Sequence, residues 1–497
     1  VNDVALGEAR LRGCPGGDEA LERIAHLERS WGRRVALAPL APPDTSRPDA
    51  DVIFLGGGLW LTLAPYLARK GLRVAVLERG RAGVGHREWN ISGPELEALV
   101  RSGLFTRDEV DSLVIARYRH GVCRWHEGGS WPVTGVLDHA VDGEAYLAAV
   151  RAKAEAAGVT LLDGHQVDGL GAGASGVAVR ARDRSGSHVT LLGRVAVDAL
   201  GASSPHARVD LGCPTVGGVL GGLARGDGPE EVNPEVGDIL VTTEHREERR
   251  QHIWEGFPAR GALTTYLFYY ARAEALPERP LLALYGRFFR TLPRYKRGDP
   301  EVLRLTYGII PGWSRLRPAP SSPADRVLLV GDAAARHSPL TFCGFGSMVR
   351  SFAAVGDGLA RRLEQGRLDA ASLDALQPDL PLLRGVGALA LLMAEPRTTR
   401  LGADDPGATN RLLDAAFGSM HRRGNGFYAS LLRDEMAPAD FVRFLYGTSL
   451  LRKEVYTDVW RYLAPGEAGR WALGVALACG TAGGLRGVAS ALERPLR

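Results

Sequence analysis

Three short stretches, far apart in the chain, have residue types and spacings suited to holding a phosphorylated cofactor. The first is "DADVIFLGGGLWLTLAPYLARKGLRVAVLERG". In it an apolar strand runs into Gly56-Gly57-Gly58, a helix follows, and a second strand ends at Glu78. Glycines permit the sharp turn and let the backbone approach a pyrophosphate at the helix N-terminus. Glu78, with Arg79 beside it, lies about twenty residues on, where an acidic side chain can hold a ribose hydroxyl. The usual third glycine is replaced by Leu61, which predicts looser helix–strand packing, and Pro65 predicts a kink in the helix. The plainer reading is a tight turn in an unrelated α/β domain.

The second stretch is "DRVLLVGDAAARHSPLTFCGFGSMVRS", Asp325–Ser351. An apolar strand leads to Gly331-Asp332 and then to a glycine-rich helix entry. A domain that binds NAD alone has no use for this. In FAD enzymes of the hydroxylase and reductase type, an Asp at the end of a late strand holds the ribityl chain. The positive end of the next helix then faces the flavin ring. Pro339, Gly344, Phe345 and Gly346 fall along that cofactor, and Gly344 and Gly346 would let the backbone approach the pyrimidine edge. The third stretch, "VAVDALGASSP" (Val195–Pro205), is a strand ending in Asp-x-x-Gly-x-x-Ser around Gly201. Such a turn closes the nucleotide site. Three pieces in this order point to FAD, although Asp332 taken alone would serve as a helix N-cap. His337 sits near the flavin on one reading. On the other, it is a hydrogen-bonded structural residue. Cys343, beside Gly344, reads as packing.

These stretches need an α/β frame with a Rossmann-type, discontinuous FAD-binding domain. Residues 1–47 read as a helical appendage (Leu21, Ile24, Leu27 and Trp31 at helical spacing) with a Pro-rich linker. Residues 48–212 alternate helices and strands and form the first part of the FAD domain. Residues 213–317, richer in Thr, Tyr and Phe, read as an inserted mixed β-sheet domain for substrate. Residues 318–365 return to the FAD domain, and 366–497 are helical. In "ALTTYLFYYARA", Tyr266, Phe268 and Tyr270 alternate with Leu267 and Tyr269 at strand period, so one face lines a pocket or is plain sheet core.

Composition narrows the classes. A net charge of +4 over 497 residues, with the signs mixed, gives no basis for nucleic-acid binding. Cys14, Cys123, Cys213, Cys343 and Cys479 show neither CxxC nor metal spacing, which suits a reducing compartment. The first 30 residues lack an apolar signal-peptide core. The most apolar run, Trp471–Leu485, is shorter than the ~20 residues a membrane span needs.

Several long blocks in order carry a resemblance to a known family. They are "EWNIS" (Glu88–Ser92), "WEGFPARGALTTYLFYY" (Trp254–Tyr270), "FFRTLPRYKRG" (Phe288–Gly298) and "VGDAAARHSPLTFCGFGSMVR" (Val330–Arg350). Over about residues 48–460 the chain resembles the CruA/CruP-type lycopene cyclases, on a p-hydroxybenzoate-hydroxylase-like or geranylgeranyl-reductase-like FAD fold. The resemblance implies conversion of the ψ-end groups of lycopene to β-ionone rings, with no net redox change. It also implies reduced FAD and NAD(P)H as reductant. An acid protonates the terminal alkene, a carbocation forms and closes the ring, and a proton leaves.

That chemistry needs a dry pocket with electron-rich walls. Glu255, between Trp254 and Phe257, is the first candidate for the acid and Glu88 the second; Trp254, Phe257, Tyr266 and Phe268 are candidate pocket walls. Glu255 alternatively pairs with Arg260 or caps a strand end. Arg87 is expected on the FAD pyrophosphate or ribose, and Trp89 and Asn90 at the flavin or pocket edge. The plainer alternative places Trp89 in the core, Glu88 in an ion pair and Asn90–Ser92 as a helix cap. A lipid-borne substrate implies a cytoplasmic protein lying peripherally on the membrane, and "FVRFLYGTSLLRKEVYTDVWRYLA" (Phe441–Ala464) suits a basic amphipathic helix. The family setting leaves room for a carotenoid-pathway protein partner. The rival functions are a flavin monooxygenase or reductase of an apolar isoprenoid, and a CruP-like protective flavoprotein that forms no rings. A halogenase-type WxWxIP signature is missing.

Overall fold

The structure is a computed structural model. It describes residues 2–43, 47–314, 316, 319–335, 340, 344–377, 389–394, 405–455, 457 and 462–481. Two large sheets organise it. The first runs Ala38–Pro39, Gln166–Ala172, Val177–Arg182, His188–Asp198, Ala50–Leu55, Val74–Glu78, Thr160–Asp163, with Val327–Leu329 also paired to His188–Asp198. Its centre is parallel: Ala50–Leu55 lies between His188–Asp198 and Val74–Glu78. The apolar runs at 52–55, 74–77 and 327–329 are buried throughout, as a parallel sheet covered on both faces requires.

The second sheet runs Ala271–Arg272, Leu211–Leu223, Ala262–Phe268, Ile253–Ala259, Val236–Val241, His120–Arg124, Ser130–Val133, with Gly298–Gly312 along Leu211–Leu223. A three-stranded sheet of Glu88–Ile91, His139–Asp142 and Val114–Arg117 lies between the two in the chain path. The chain leaves the first sheet after Glu78 and crosses the small sheet. It then adds His120–Arg124 and Ser130–Val133 to the second sheet before returning at Thr160. The second sheet therefore draws strands from the stretch that the sequence reads as FAD domain. The pairing responsible, Val236–Val241 parallel to His120–Arg124, is long-range, and no local turn signal marks it.

The N-terminal helices do not stand apart. Asp3–Arg12 and Gly17–Ser30 pack on the helix Pro280–Tyr295, and Leu11 and Ile24 are fully buried in the same apolar cluster as Tyr285 and Phe288. The backbones touch: a Cβ on Gly7 would lie 2.2 Å from the Leu282 carbonyl oxygen, and one on Gly286 would lie 1.9 Å from the Asp3 carbonyl oxygen. Glu28 accepts hydrogen bonds from the Leu281 and Leu282 amides at 2.9 and 3.3 Å, capping that helix. A glycine-to-glycine crossing has no apolar signature, which is why the sequence pattern reads as an appendage.

The Gly turn also differs in detail from expectation. Leu59–Thr62 is a 3₁₀ turn, and the α-helix proper, Leu63–Ala68, starts after it. Pro65 thus falls in the first turn, where the amide it lacks has no partner to lose, so it does not kink the helix. Leu61 is fully buried and packs in the core instead of loosening it.

The described C-terminal part is helical: Ala408–Arg422, Asn425–Leu432, Pro438–Leu451 and Pro465–Thr481. The expected amphipathic helix from Phe441 ends at Leu451, because Arg452 is extended. Tyr446, Leu450 and Leu451 on one helix, and Leu473 and Leu477 on another, are large apolar side chains left exposed. Among the described residues no helix is long and apolar enough to cross a membrane.

The helix crossing gives a direct test. Gly286→Leu forces a side chain into the Asp3 backbone and should cost about 1–3 kcal/mol. Urea unfolding of the variant beside the parent protein measures it.

Candidate functional site

At the end of Ala50–Leu55 the chain turns at Gly56, with φ of 101°. A Cβ there would sit 2.7 Å from the Ala199 carbonyl oxygen, so two backbones meet in a place only glycine fits. Glu78 locks this turn: its carboxylate accepts from the Gly57 and Gly80 amides, each at 2.9 Å. Asp198, buried at the end of its strand, accepts from Ser204 Oγ at 2.6 Å and from the Leu200 amide at 3.1 Å. That shapes the turn carrying Gly201. Gly331 is left-handed at φ 59° and brings Asp332 toward Gly201. These pieces enclose a cavity of about 300 Å³, lined among others by Gly56, Gly58, Glu78, Arg79, Gly201 and Asp332. A Cβ at Gly58 would meet nothing, so the backbone is open to a ligand there.

A second cavity of about 230 Å³ adjoins the first and shares Leu59, Asp332 and Gly344 with it. The two lobes together form an elongated cleft running from the Gly turn to the face of the second sheet. Glu255 reaches the second lobe from the strand Ile253–Ala259. Phe257 and the cross-strand neighbour Tyr266 stand beside it. Burial pushes the Glu255 carboxyl up to about 7, and a hydrogen bond from Asn90 opposes this only in part. Tyr118 orients that amide by donating to Asn90 Oδ1 at 2.7 Å. Among the described residues no cation lies within ion-pair distance of Glu255, so Arg260 is not its partner. Trp89 covers another wall, its ring 4.7 Å from that of Phe345.

Several expected residues have other placements. Arg87 lies in the second lobe, not along the Gly turn, and donates to the Tyr307 carbonyl oxygen at 3.1 Å. Its neighbour His86, held near pKa 4 by burial and by the Arg87 charge, contacts the same oxygen through Nε2 at 2.9 Å. Being neutral, it donates there. Glu88 lines the lobe with its carboxylate paired to Arg304, so it is not a free acid. Trp254 points to the opposite side of its strand and stacks on Tyr295 at 4.6 Å, because strand alternation puts Glu255 and Phe257 on one face and Trp254 on the other. Phe268 shares the face of Tyr266 but packs against Tyr270 in the apolar core beyond the lobe. Gly346 makes room for Glu95, which pairs with Arg350, and does not line the cleft. Pro339, His337 and Cys343 lie outside the described residues.

Sequence reasoning missed Arg304 and Thr215. The one signal for Arg304 was a charged residue inside the alternating strand "EVLRLTYG". Ser92, expected as a cap, does form a capping box with Glu95.

The cleft and the two sheets define the FAD-binding fold of flavin-dependent reductases and monooxygenases. No family model matches the chain, and no curated protein matches its sequence. Solved structures do. A geranylgeranyl bacteriochlorophyll reductase-like protein from Thermoplasma acidophilum superposes with a TM-score of 0.55 at 15% identity, over 83% of this chain and 99% of its own. The p-nitrophenol 4-monooxygenase PnpA from Pseudomonas putida gives 0.54 at 16%, over 78% and 98%. The halogenase PltM, in complex with phloroglucinol and FAD, gives 0.55 at 13%, over 85% and 94%. At these identities the likeness is one of fold.

The Glu255 carboxyl predicts a pH effect with a definite sign. Its folded pKa, about 7, lies above the ordinary 4.5, so folding takes up a proton between these values. That contribution to stability is complete below 4.5 and is lost as pH rises through 7. Glu255→Gln removes the dependence. The stability of the parent protein relative to this variant should fall by up to roughly 3 kcal/mol between about pH 4 and about pH 8, as read by urea unfolding at each pH.

Proposed function

We propose that this chain is a flavoenzyme whose Glu255 acts as a general acid on an acyclic isoprenoid, and that its reaction is the cyclisation of lycopene end groups. The observation that carries this is a buried carboxyl, pushed up to about 7, on a wall shared with Phe257 and Tyr266. The adjoining lobe fits FAD. Gly58 leaves the backbone open for a pyrophosphate, Glu78 offers carboxylate oxygens to a ribose, and Asp332 stands at the junction where a ribityl chain would pass. Bound and reduced by NAD(P)H, the flavin supplies an electron-rich face against positive charge.

The residues of the chain do the rest. Glu255 transfers its proton to the terminal carbon–carbon double bond of the substrate, leaving a tertiary carbocation. Faces of Phe257, Tyr266 and Trp89 stabilise that charge. A second double bond attacks it, one carbon–carbon bond forms, and the Glu255 carboxylate takes back one ring proton, which restores the balance. Product and substrate are isomers, so the reductant is not consumed. The substrate is a bilayer hydrocarbon, and we place the protein peripherally on a membrane. The exposed Tyr446, Leu450, Leu473 and Leu477 would face the lipid, with Arg443, Arg452 and Lys453 nearby in the chain.

One observation favours a second reading. Arg87 lines the same lobe and, among the described residues, has no carboxylate within ion-pair distance. A guanidinium there opposes a carbocation and favours an oxygenated substrate, as a flavin monooxygenase would take.

Expression in a lycopene-accumulating bacterial host, with pigments resolved by HPLC, separates the two. Cyclisation yields γ- or β-carotene, and Glu255→Gln should reduce the product by roughly 10²–10⁴-fold while flavin content stays unchanged. Unaltered lycopene from a flavin-loaded protein that consumes NADPH and oxygen overturns the cyclase reading. Asp332→Ala should lower the flavin content of the purified protein, read from its visible absorbance.

A further inference from the structure

The hairpin joining His120–Arg124 to Ser130–Val133 carries His126 and Glu127 at its turn. His245 comes from the loop after Val236–Val241. One ligand atom from each of these three residues lies within 4.8 Å of the others. The two imidazole rings meet edge to face with centroids 4.8 Å apart, and His245 Nε2 is 3.1 Å from Glu127 Oε2. We propose that these three residues form a binding site for a divalent late transition-metal ion, Zn²⁺ above all, separate from the flavin cleft.

The donor chemistry supports this. Two imidazoles and one carboxylate suit Zn²⁺ and its neighbours in the first row, and leave a further position open to water. Zn–N bonds of about 2.0–2.1 Å place tetrahedral ligand atoms roughly 3.3–3.5 Å apart. The cluster must therefore draw in by about an ångström. Its members can do so, because both histidines are half-buried and Glu127 is exposed.

The scaffold beneath is rigid. The His126 amide donates to Thr242 Oγ1 at 2.8 Å, and Thr242 Oγ1 donates to the buried Asn410 Oδ1 at 2.9 Å. Asn410 Nδ2 donates to the Glu244 carbonyl oxygen at 3.0 Å and lies 3.3 Å from His245 Nδ1, which leaves Nε2 as the atom facing the cluster. Glu127 adopts a left-handed φ of 57°, although Gly128 and Gly129 follow it and would hold that conformation without strain. The strained residue is the one whose carboxylate meets His245.

An ion here would join the edge of the second sheet to the helix Ala408–Arg422 through Asn410. It must open the contact between His245 and Glu127.

Calorimetric titration of Zn²⁺ into the full chain, treated with EDTA and then freed of it, tests the site. The expected result is one ion per chain. Affinity should fall at least ten-fold in His126→Ala and in His245→Ala, and measurably in Glu127→Gln, with flavin content unchanged. Glu127 sits on an exposed turn, so its variant keeps the test open should a histidine variant fold poorly. No saturable binding overturns the proposal. So does stoichiometric binding that persists unchanged in Glu127→Gln and in the double variant His126→Ala/His245→Ala.

Discussion

A carboxyl group taken out of water must find a cation, find hydrogen-bond donors or hold its proton, and the centre of this protein is arranged around that constraint. Glu88 and Glu255 line the second lobe, and Glu95 follows Glu88 by seven positions in the chain. Glu88 is neutralised by Arg304, which reaches across from the strand Gly298–Gly312. Glu95 is neutralised by Arg350 on the helix that starts at Gly344. Each pair also ties the segment 88–95 to a distant part of the chain, one to the second sheet and one to the helix from Gly344. Glu255 has an amide beside it in place of a cation, and burial pushes its carboxyl up to about 7. Its chemical character follows from the company that its neighbours already keep.

The two sheets divide the work by their geometry. Strand ends of the parallel sheet expose backbone, at Gly56, Gly201 and Gly331, and backbone amides suit phosphate and ribityl oxygens. The flat face of the second sheet presents side chains two residues apart, which suits a wall of alternating acid and aromatic groups. Leu59, Asp332 and Gly344 border both lobes, so a ligand laid along the first necessarily ends beside the second.

Much of the first lobe was legible in the sequence because its determinants are local. A glycine turn between an apolar strand and a helix, or an Asp at a strand end, can be recognised within a dozen residues. Glu255 and Phe257 were legible for a similar reason, since strand alternation pairs them on one face. The same alternation excludes Trp254, and its side could be assigned only once the helix bearing Tyr295 was seen to cover that face. An ion pair for Glu88 was among the readings of the sequence, but the place of Arg87 and the identity of Arg304 as the partner were beyond reach, because they depend on which strands of the second sheet stand opposite residue 88, and those come from more than 200 residues later. The role of the N-terminal helices was hidden too, since close backbone packing leaves glycine where a pattern search looks for leucine.

That glycine crossing also governs how the molecule comes to be made. Asp3 and Arg290, which form an ion pair across it, are 287 positions apart. At a synthesis rate of about 5–20 residues per second, the first helices wait roughly 15–60 s for their partner to leave the ribosome. Over that interval Leu11 and Ile24 have no core to enter, and closing so long a loop adds only a logarithmic entropic cost once the partner arrives. The helix Pro280–Tyr295 thus meets cover that was synthesised long before it. Until then the nascent chain carries an unsatisfied apolar helical pair, which is the kind of surface that chaperones hold.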